Sequence, residues 1–244
     1  MLLLYIYISI ISLTLARANV EKTVFVAPSA LTVSDIDPTL DDLGLDRLTP
    51  SYGMLRTRLN ASFPITDSED GTGTGTQSWY FLENLTPGQR YEVRICWLAS
   101  QPTEFTLITY TLPQVLEETS LLSALSLYSS ARLSASPQHS ASTLTRRASS
   151  APTANSVLFL RIDAAADYFS LNKDLMETVP PVLVDIILDP FLGNVFPKSL
   201  VPTAGYIVVV ACLAVFVAGW IAREFARAVD SIDSHSSEGV KKNL

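Results

Sequence analysis

Along the chain, apolar residues gather into two long blocks at the ends, with short stretches of alternating apolar and polar positions between them. The first block runs from Met1 and closes on Ala16-Arg17-Ala18. Small residues at −3 and −1 after an apolar run too short to span comfortably predict a secretory leader cleaved after Ala18. The second block, Ala204 to Ala222, carries no charge. At 1.5 Å per residue it is roughly 28 Å long as a helix, close to the thickness of an endoplasmic reticulum bilayer. Tyr206 and Trp220 stand near its ends, where amphipathic rings favour the interface, and Arg223 and Arg227 follow directly. Basic flanks stay cytosolic, so the expected topology is type I, with the body in the lumen and a short cytosolic tail.

Residues 19 to 113 carry the patterns of strands. Thr23 to Val26 is a short apolar run; Leu55, Thr57, Leu59, Ala61 and Phe63 alternate with Arg56, Arg58 and Asn60; Ser78 to Leu82 is rich in aromatics. Period-two alternation is the mark of a half-buried strand. It is sharpest at Tyr91, Val93, Ile95 and Trp97, which share one face against Glu92, Arg94, Cys96 and Leu98. A last alternating segment sets Phe105, Leu107, Thr109 and Thr111 against Ile108 and Tyr110, with Pro102 and Pro113 as punctuation. Leu85-Thr86-Pro87-Gly88-Gln89-Arg90-Tyr91 places a Pro-Gly turn ahead of a tyrosine that opens a strand. This spacing resembles the tyrosine corner of fibronectin type III domains, where the ring packs into the sandwich and its hydroxyl bonds to backbone upstream. The predicted fold is therefore mainly β: a fibronectin III/immunoglobulin-like sandwich in the lumen plus one C-terminal transmembrane helix.

Val115, Leu121, Leu122, Leu125 and Tyr128 predict a partly amphipathic helix within 114–133. The Ser-, Ala- and Thr-rich run up to 156 has little apolar material to bury and is expected to form a low-complexity insertion. Val157 to Ile162 returns as a strand. Val182 to Leu188 and Phe191 to Phe196 form an apolar stretch interrupted by Pro190, for which lipid or partner contact and ordinary core packing both remain open. The expected divisions are thus 1–18 leader, 19–113 sandwich, 114–156 helix and insertion, 157–203 final strand and juxtamembrane segment, 204–222 span and 223–244 tail.

The formal net charge of −7 removes the basic face that nucleic-acid binding needs. Two cysteines, Cys96 in a strand and Cys212 in the span, define no disulfide framework. Gly71-Thr72-Gly73-Thr74-Gly75 lacks the lysine and following helix of a phosphate-binding loop. Asp35-Ile36-Asp37 fits the Asp-x-Asp pair with which glycosyltransferases hold a divalent ion, but so short a pattern recurs by chance. His139 and His235 sit in Ser-rich segments, and neither has a neighbouring nucleophile or acid that would make a triad. Hence no catalytic, cofactor-binding or metal-binding residue is assigned, and the chain by itself is not expected to be an enzyme. Asn60-Ala61-Ser62 and Asn84-Leu85-Thr86 are acceptor triplets for N-glycans, the second with Pro87 after it.

The chain ends Lys241-Lys242-Asn243-Leu244. Lysines at −4 and −3 of a cytosolic tail resemble the dilysine signal that returns membrane proteins to the endoplasmic reticulum through a COPI-type coat; such a signal is an address read by a receptor. The acidic, Ser-rich residues 230–239 are expected to keep it extended and accessible.

A cleaved leader, a small β-rich lumenal region containing Tyr91-Glu92-Val93-Arg94-Ile95-Cys96-Trp97, one C-terminal span and a lysine-ended tail resemble the fungal Pga-type co-activators of glycosylphosphatidylinositol (GPI) mannosyltransferase II. The Ser-rich run at 134–156 departs from that pattern as an insertion. The resemblance implies a non-catalytic subunit that stabilises or positions the polytopic transferase adding the second mannose, with dolichol-phosphate mannose as donor and the catalytic residues in the partner. The competing expectation is a single-pass cargo receptor or lumenal chaperone-like module of the early secretory pathway. A lumenal glycosyltransferase using Asp35 and Asp37 is a third.

Overall fold

The structure, a computed structural model, describes residues 19–30, 40–64, 75–135 and 156–241. The chain divides into two compact units, one ending at Phe196 and one beginning at Pro197.

The first unit is two packed β-sheets in a sandwich-like arrangement. One sheet has the strand order β1-β5-β8-β3, made of β1 (Val20–Val26), β5 (Arg90–Trp97), β8 (Val182–Leu192) and β3 (Met54–Leu59). Its neighbours are all antiparallel. The other has the order β2-β4-β7-β6, made of β2 (Asp46–Leu48), β4 (Thr76–Leu85), β7 (Ser156–Ala166) and β6 (Thr103–Tyr110). It is mixed, because β2 runs parallel to β4. The strand expected at 157–162 is therefore longer, Ser156–Ala166, and lies inside its sheet. The stretch at 182–188 resolves into core packing: Val182, Val184, Ile186 and Leu188 are buried between the sheets.

Two cores explain the composition of each strand. Tyr91, Val93 and Ile95 of β5 meet Tyr80 and Leu82 of β4 and Leu158, Leu160 and Ile162 of β7 between the sheets. On the far side of the second sheet, Trp79 and Phe81 of β4 and Val157 and Phe159 of β7 meet Val115, Leu121 and Leu125. These last three come from α1 (Leu112–Glu117) and α2 (Thr119–Ala135), two helices where the periodicity predicts one. β4 and β7 are buried on both faces, which is why both read as continuous apolar runs rather than alternations. β5 alternates because only one of its faces enters the core.

α1 starts where β6 ends because Thr111 is its N-cap: the Thr111 hydroxyl accepts from the Gln114 N–H while the Gln114 side chain accepts from the Thr111 N–H. That reciprocal box satisfies donors that a helix start leaves unpaired, and Pro113 sits in the first turn, where its missing N–H is harmless. α2 is tied to the segment before β2: Ser129 Oγ donates to the Leu43 carbonyl at 2.8 Å and Arg132 Nε to the Gly44 carbonyl at 2.8 Å.

Tyr91 is fully buried, its ring stacked on Phe25 at 5.8 Å between centroids. Its hydroxyl accepts from the Thr86 N–H at 3.0 Å and donates to Gln89 Oε1 at 3.0 Å. Removing that hydroxyl strands one backbone donor and one side-chain acceptor. Tyr91→Phe should therefore lower stability by about 1–3 kcal/mol, read by chemical denaturation of the full chain in detergent. Unchanged stability would mean that water takes over both partners.

The second unit contains α4 (Val201–Lys241), and Lys198–Arg227 is long and apolar enough to cross a membrane, with its apolar window unburied. Residues 230–239, expected to be extended, are helical through Lys241. Extending a nucleated helix avoids the cost of a new nucleus, which is what lets these weak helix formers continue the apolar segment. Lys242 to Leu244 lie outside the described residues.

Candidate functional site

At the end of the sandwich where β6 begins, β7 finishes and β8 begins, a half-open cleft of about 330 Å³ lies among Pro102, Thr103, Tyr168, Leu175, Val179 and Val182. Its walls are held by polar groups already paired with one another. The Tyr168 hydroxyl donates to the Leu175 carbonyl at 2.8 Å, and its ring meets Phe63 edge-on at 5.3 Å. The Gln101 amide donates to the Pro181 carbonyl at 3.3 Å and accepts from the Leu183 N–H at 3.1 Å. Asn172 caps the short helix α3 (Lys173–Glu177) by accepting from the Asp174 N–H at 3.1 Å. With these groups satisfied, what the cleft offers an occupant is apolar surface.

The loop beside it strengthens that character. Phe169 is 82% exposed and Leu171 91% exposed, on either side of Ser170, itself a cleft residue. Tyr168 anchors one side of the pair and the Asn172 cap the other, so two large apolar side chains are held outward by an ordered loop. Burying each against a partner is worth roughly 1.5–3 kcal/mol. Nothing in the sequence patterns singles out this loop; the available signal was Asp-Tyr-Phe-Ser-Leu-Asn, aromatic and apolar residues set among turn-forming ones.

The outer face of the β1-β5-β8-β3 sheet is a lattice of opposite charges. Arg56 forks onto Asp185 with two bonds of 2.7 Å, and that hydrogen-bonded guanidinium holds the Asp185 carboxyl below its usual range. Lys22 reaches Glu92 at 3.2 Å, and Arg94 lies 3.6 Å from Glu92 on its other side. Cys96 lies opposite Asp185 in the register, half-buried, and burial pushes its thiol up. A thiol kept protonated is a poor nucleophile. On the second sheet, Asp163 is buried 3.1 Å from Arg161; burial raises its carboxyl, and the nearby guanidinium opposes that rise.

The sequence-predicted residues do not converge on any of these places. Asn60 is exposed just past β3, whose last residue pairs with Val182 at the start of β8. Asn84 is exposed at φ 58° in the irregular end of β4, which leads into the Tyr91 turn beside Pro190. The two acceptor asparagines thus stand at opposite ends of the sandwich. The leader with its cleavage position at Ala18, Asp35 and Asp37, Gly71 to Thr74, the bulk of the Ser-rich insertion with His139, and Lys242 lie outside the described residues. His235 and Lys241 belong to α4. Among the described residues no three His, Cys, Asp or Glu side chains group to hold a metal ion. No protein family, no curated protein and no solved structure matches the chain.

Proposed function

We propose that this chain is a single-pass protein of the endoplasmic reticulum membrane whose lumenal sandwich binds and positions a partner, and that the partner is the polytopic GPI mannosyltransferase adding the second mannose. The carrying observation is the union, in one small chain, of a membrane-length apolar helix, the one such helix among the described residues, with a body that presents an ordered apolar loop, Phe169 and Leu171, beside an apolar cleft. A single span cannot enclose a lipid-linked sugar donor, so the chemistry belongs to the partner. The terminal Lys241 and Lys242 supply the address that keeps both in one compartment, and the resemblance of the β5 strand and the architecture to the co-activator family supplies the partner's identity. Asn60 and Asn84 are exposed, as glycan acceptors must be.

At the level of fold family, the buried Tyr91 with its hydroxyl on the Thr86 N–H supports a fibronectin III/immunoglobulin-like sandwich. Two features depart from that type. The long C-terminal strands β7 and β8 belong to different sheets instead of forming a hairpin in one, and a helical layer covers the second sheet.

The cleft also favours a second reading, a cargo receptor that takes apolar segments of passing proteins. Purification of the full chain in mild detergent separates the two. A stoichiometric polytopic mannosyltransferase supports the subunit; a spread of soluble secretory proteins supports the receptor. Depletion of the chain should accumulate GPI precursors carrying one mannose, and normal anchors would defeat the first reading.

A further inference from the structure

β8 ends in a tight turn whose construction exceeds what a linker needs. Gly193 and Asn194 both take left-handed backbone, at φ 56° and 57°, and the Val195 N–H closes the turn on the Leu192 carbonyl at 3.0 Å. Two successive residues at positive φ are the demand of the tightest hairpin turns, met by glycine and asparagine. The Asn194 side chain then fastens this turn to its neighbour. It accepts from the Arg90 N–H at 2.8 Å and donates to the Gly88 carbonyl at 3.1 Å. Arg90 Nη1 returns a bond to the Asn194 carbonyl at 3.2 Å, and Gln89 Nε2 donates to the Phe191 carbonyl at 3.1 Å.

What this rigid tip displays is apolar. Val195 is 76% exposed, Leu192 and Phe196 are partly exposed, and Val26, opposite Arg90 in the register, adds a fourth exposed apolar side chain at the same end. Arg90 is exposed among them and Lys198 follows two residues later. Apolar side chains mixed with cationic ones suit the boundary between acyl chains and phosphate headgroups.

Chain length fixes what lies within reach. The charge-free block begins at Ala204 and the sandwich ends at Phe196. The intervening chain is roughly 12 Å long if helical and at most about 29 Å if fully extended. The headgroup layer itself adds about 5–7 Å on each side of the hydrocarbon. We infer that Leu192, Val195, Phe196 and Val26, with Arg90, form a lipid-contacting tip that seats this end of the sandwich in the headgroup layer. The occupant is the phospholipid surface, and the inference rests on the reading that α4 crosses a bilayer. A seated tip sends the cleft and Phe169 away from the membrane, because Val182 and Leu192 are opposite ends of β8.

The test uses the full chain with Cys96→Ala and Cys212→Ala, reconstituted in phosphatidylcholine vesicles. Single cysteines at Val195, Val209 and Leu171 carry an environment-sensitive fluorophore, and doxyl-labelled lipids act as quenchers. Labels at Val195 and Val209 should each be quenched at least about twofold while the Leu171 label stays as in vesicles without doxyl lipid. A Val195 label that behaves like Leu171, with Val209 quenched, overturns the tip and leaves the span intact. A Val209 label that escapes quenching overturns the span, and the tip with it. Quenching at all three sites overturns the seated orientation. Leu192→Cys is the second variant at the tip, so a folding defect in V195C, seen as a lowered melting temperature, does not block the answer.

Discussion

Trp79→Ala is expected to lower the stability of the sandwich by about 3–5 kcal/mol, the range for emptying an aromatic site in a closed core. Trp79 has no exposed surface and packs 5.9 Å from the Tyr110 ring on the sheet face covered by α1 and α2. Its cavity would open within the cluster that holds Phe81, Phe159, Val115 and Leu121, side chains fixed by two strands and two helices and therefore slow to collapse into a gap. The indole nitrogen has no hydrogen-bond partner, so its removal costs no hydrogen bond, and losing a buried unpaired donor offsets only part of the apolar term. Urea unfolding of the full chain in detergent micelles, followed by near-ultraviolet circular dichroism, gives the difference directly. A loss below about 1 kcal/mol would mean that the helices do not seal this face, since buried aromatic truncation does not otherwise come so cheaply. Leu125→Ala from the helical side should fall in the same direction at about 2–5 kcal/mol.

The sandwich was legible where one strand face is open and illegible where both are closed. β5 is the clear case: its charged outer residues Glu92 and Arg94 alternate with Tyr91, Val93 and Ile95, so the period is written in the residues. β7 buries Val157 and Phe159 against the helices and Leu158 and Leu160 against the other sheet, which erases the alternation and hides the helical layer that causes it. β2 escapes notice because three residues, Asp46-Arg47-Leu48, are too few for any period. Pro190 made the stretch before the membrane look broken, yet it lies within β8. The explanation is the length of β3, whose register with β8 stops at the Met54–Ile187 pair, with one more contact from the Leu188 N–H to the Gly53 carbonyl. Beyond it β8 pairs with β5 and, across the 193–195 turn, with the two-residue strand Phe196–Pro197, so Pro190 lies at the end of the sheet, where a proline is tolerated. The cleft was illegible for a topological reason. Its residues come from 100–103 and 168–182, segments that become neighbours only when the starts of β6 and β8 meet the end of β7.

Phe169→Ser combined with Leu171→Ser should reduce capture of the proposed transferase partner by about 30-fold or more, because truncating the anchors of an interface typically costs 2 kcal/mol or above. The loop's own hydrogen bonds involve Tyr168, Ser170 and Asn172, so neither substitution touches what holds it. Both side chains already face solvent, and the melting temperature of the double variant should match that of the parent chain. That separation of binding from stability is what a contact surface predicts and a folding element does not. The readout is the ratio of transferase to chain after purification in mild detergent, with Glu21→Ser, an exposed residue of β1, as the matched surface control. An undiminished ratio in the double variant would place the contact elsewhere on the chain, and α4 with its uncovered apolar surface would become the element to probe. A diminished ratio accompanied by a lowered melting temperature would instead make the loop part of the fold, since exposed residues that matter to stability must be packing on something.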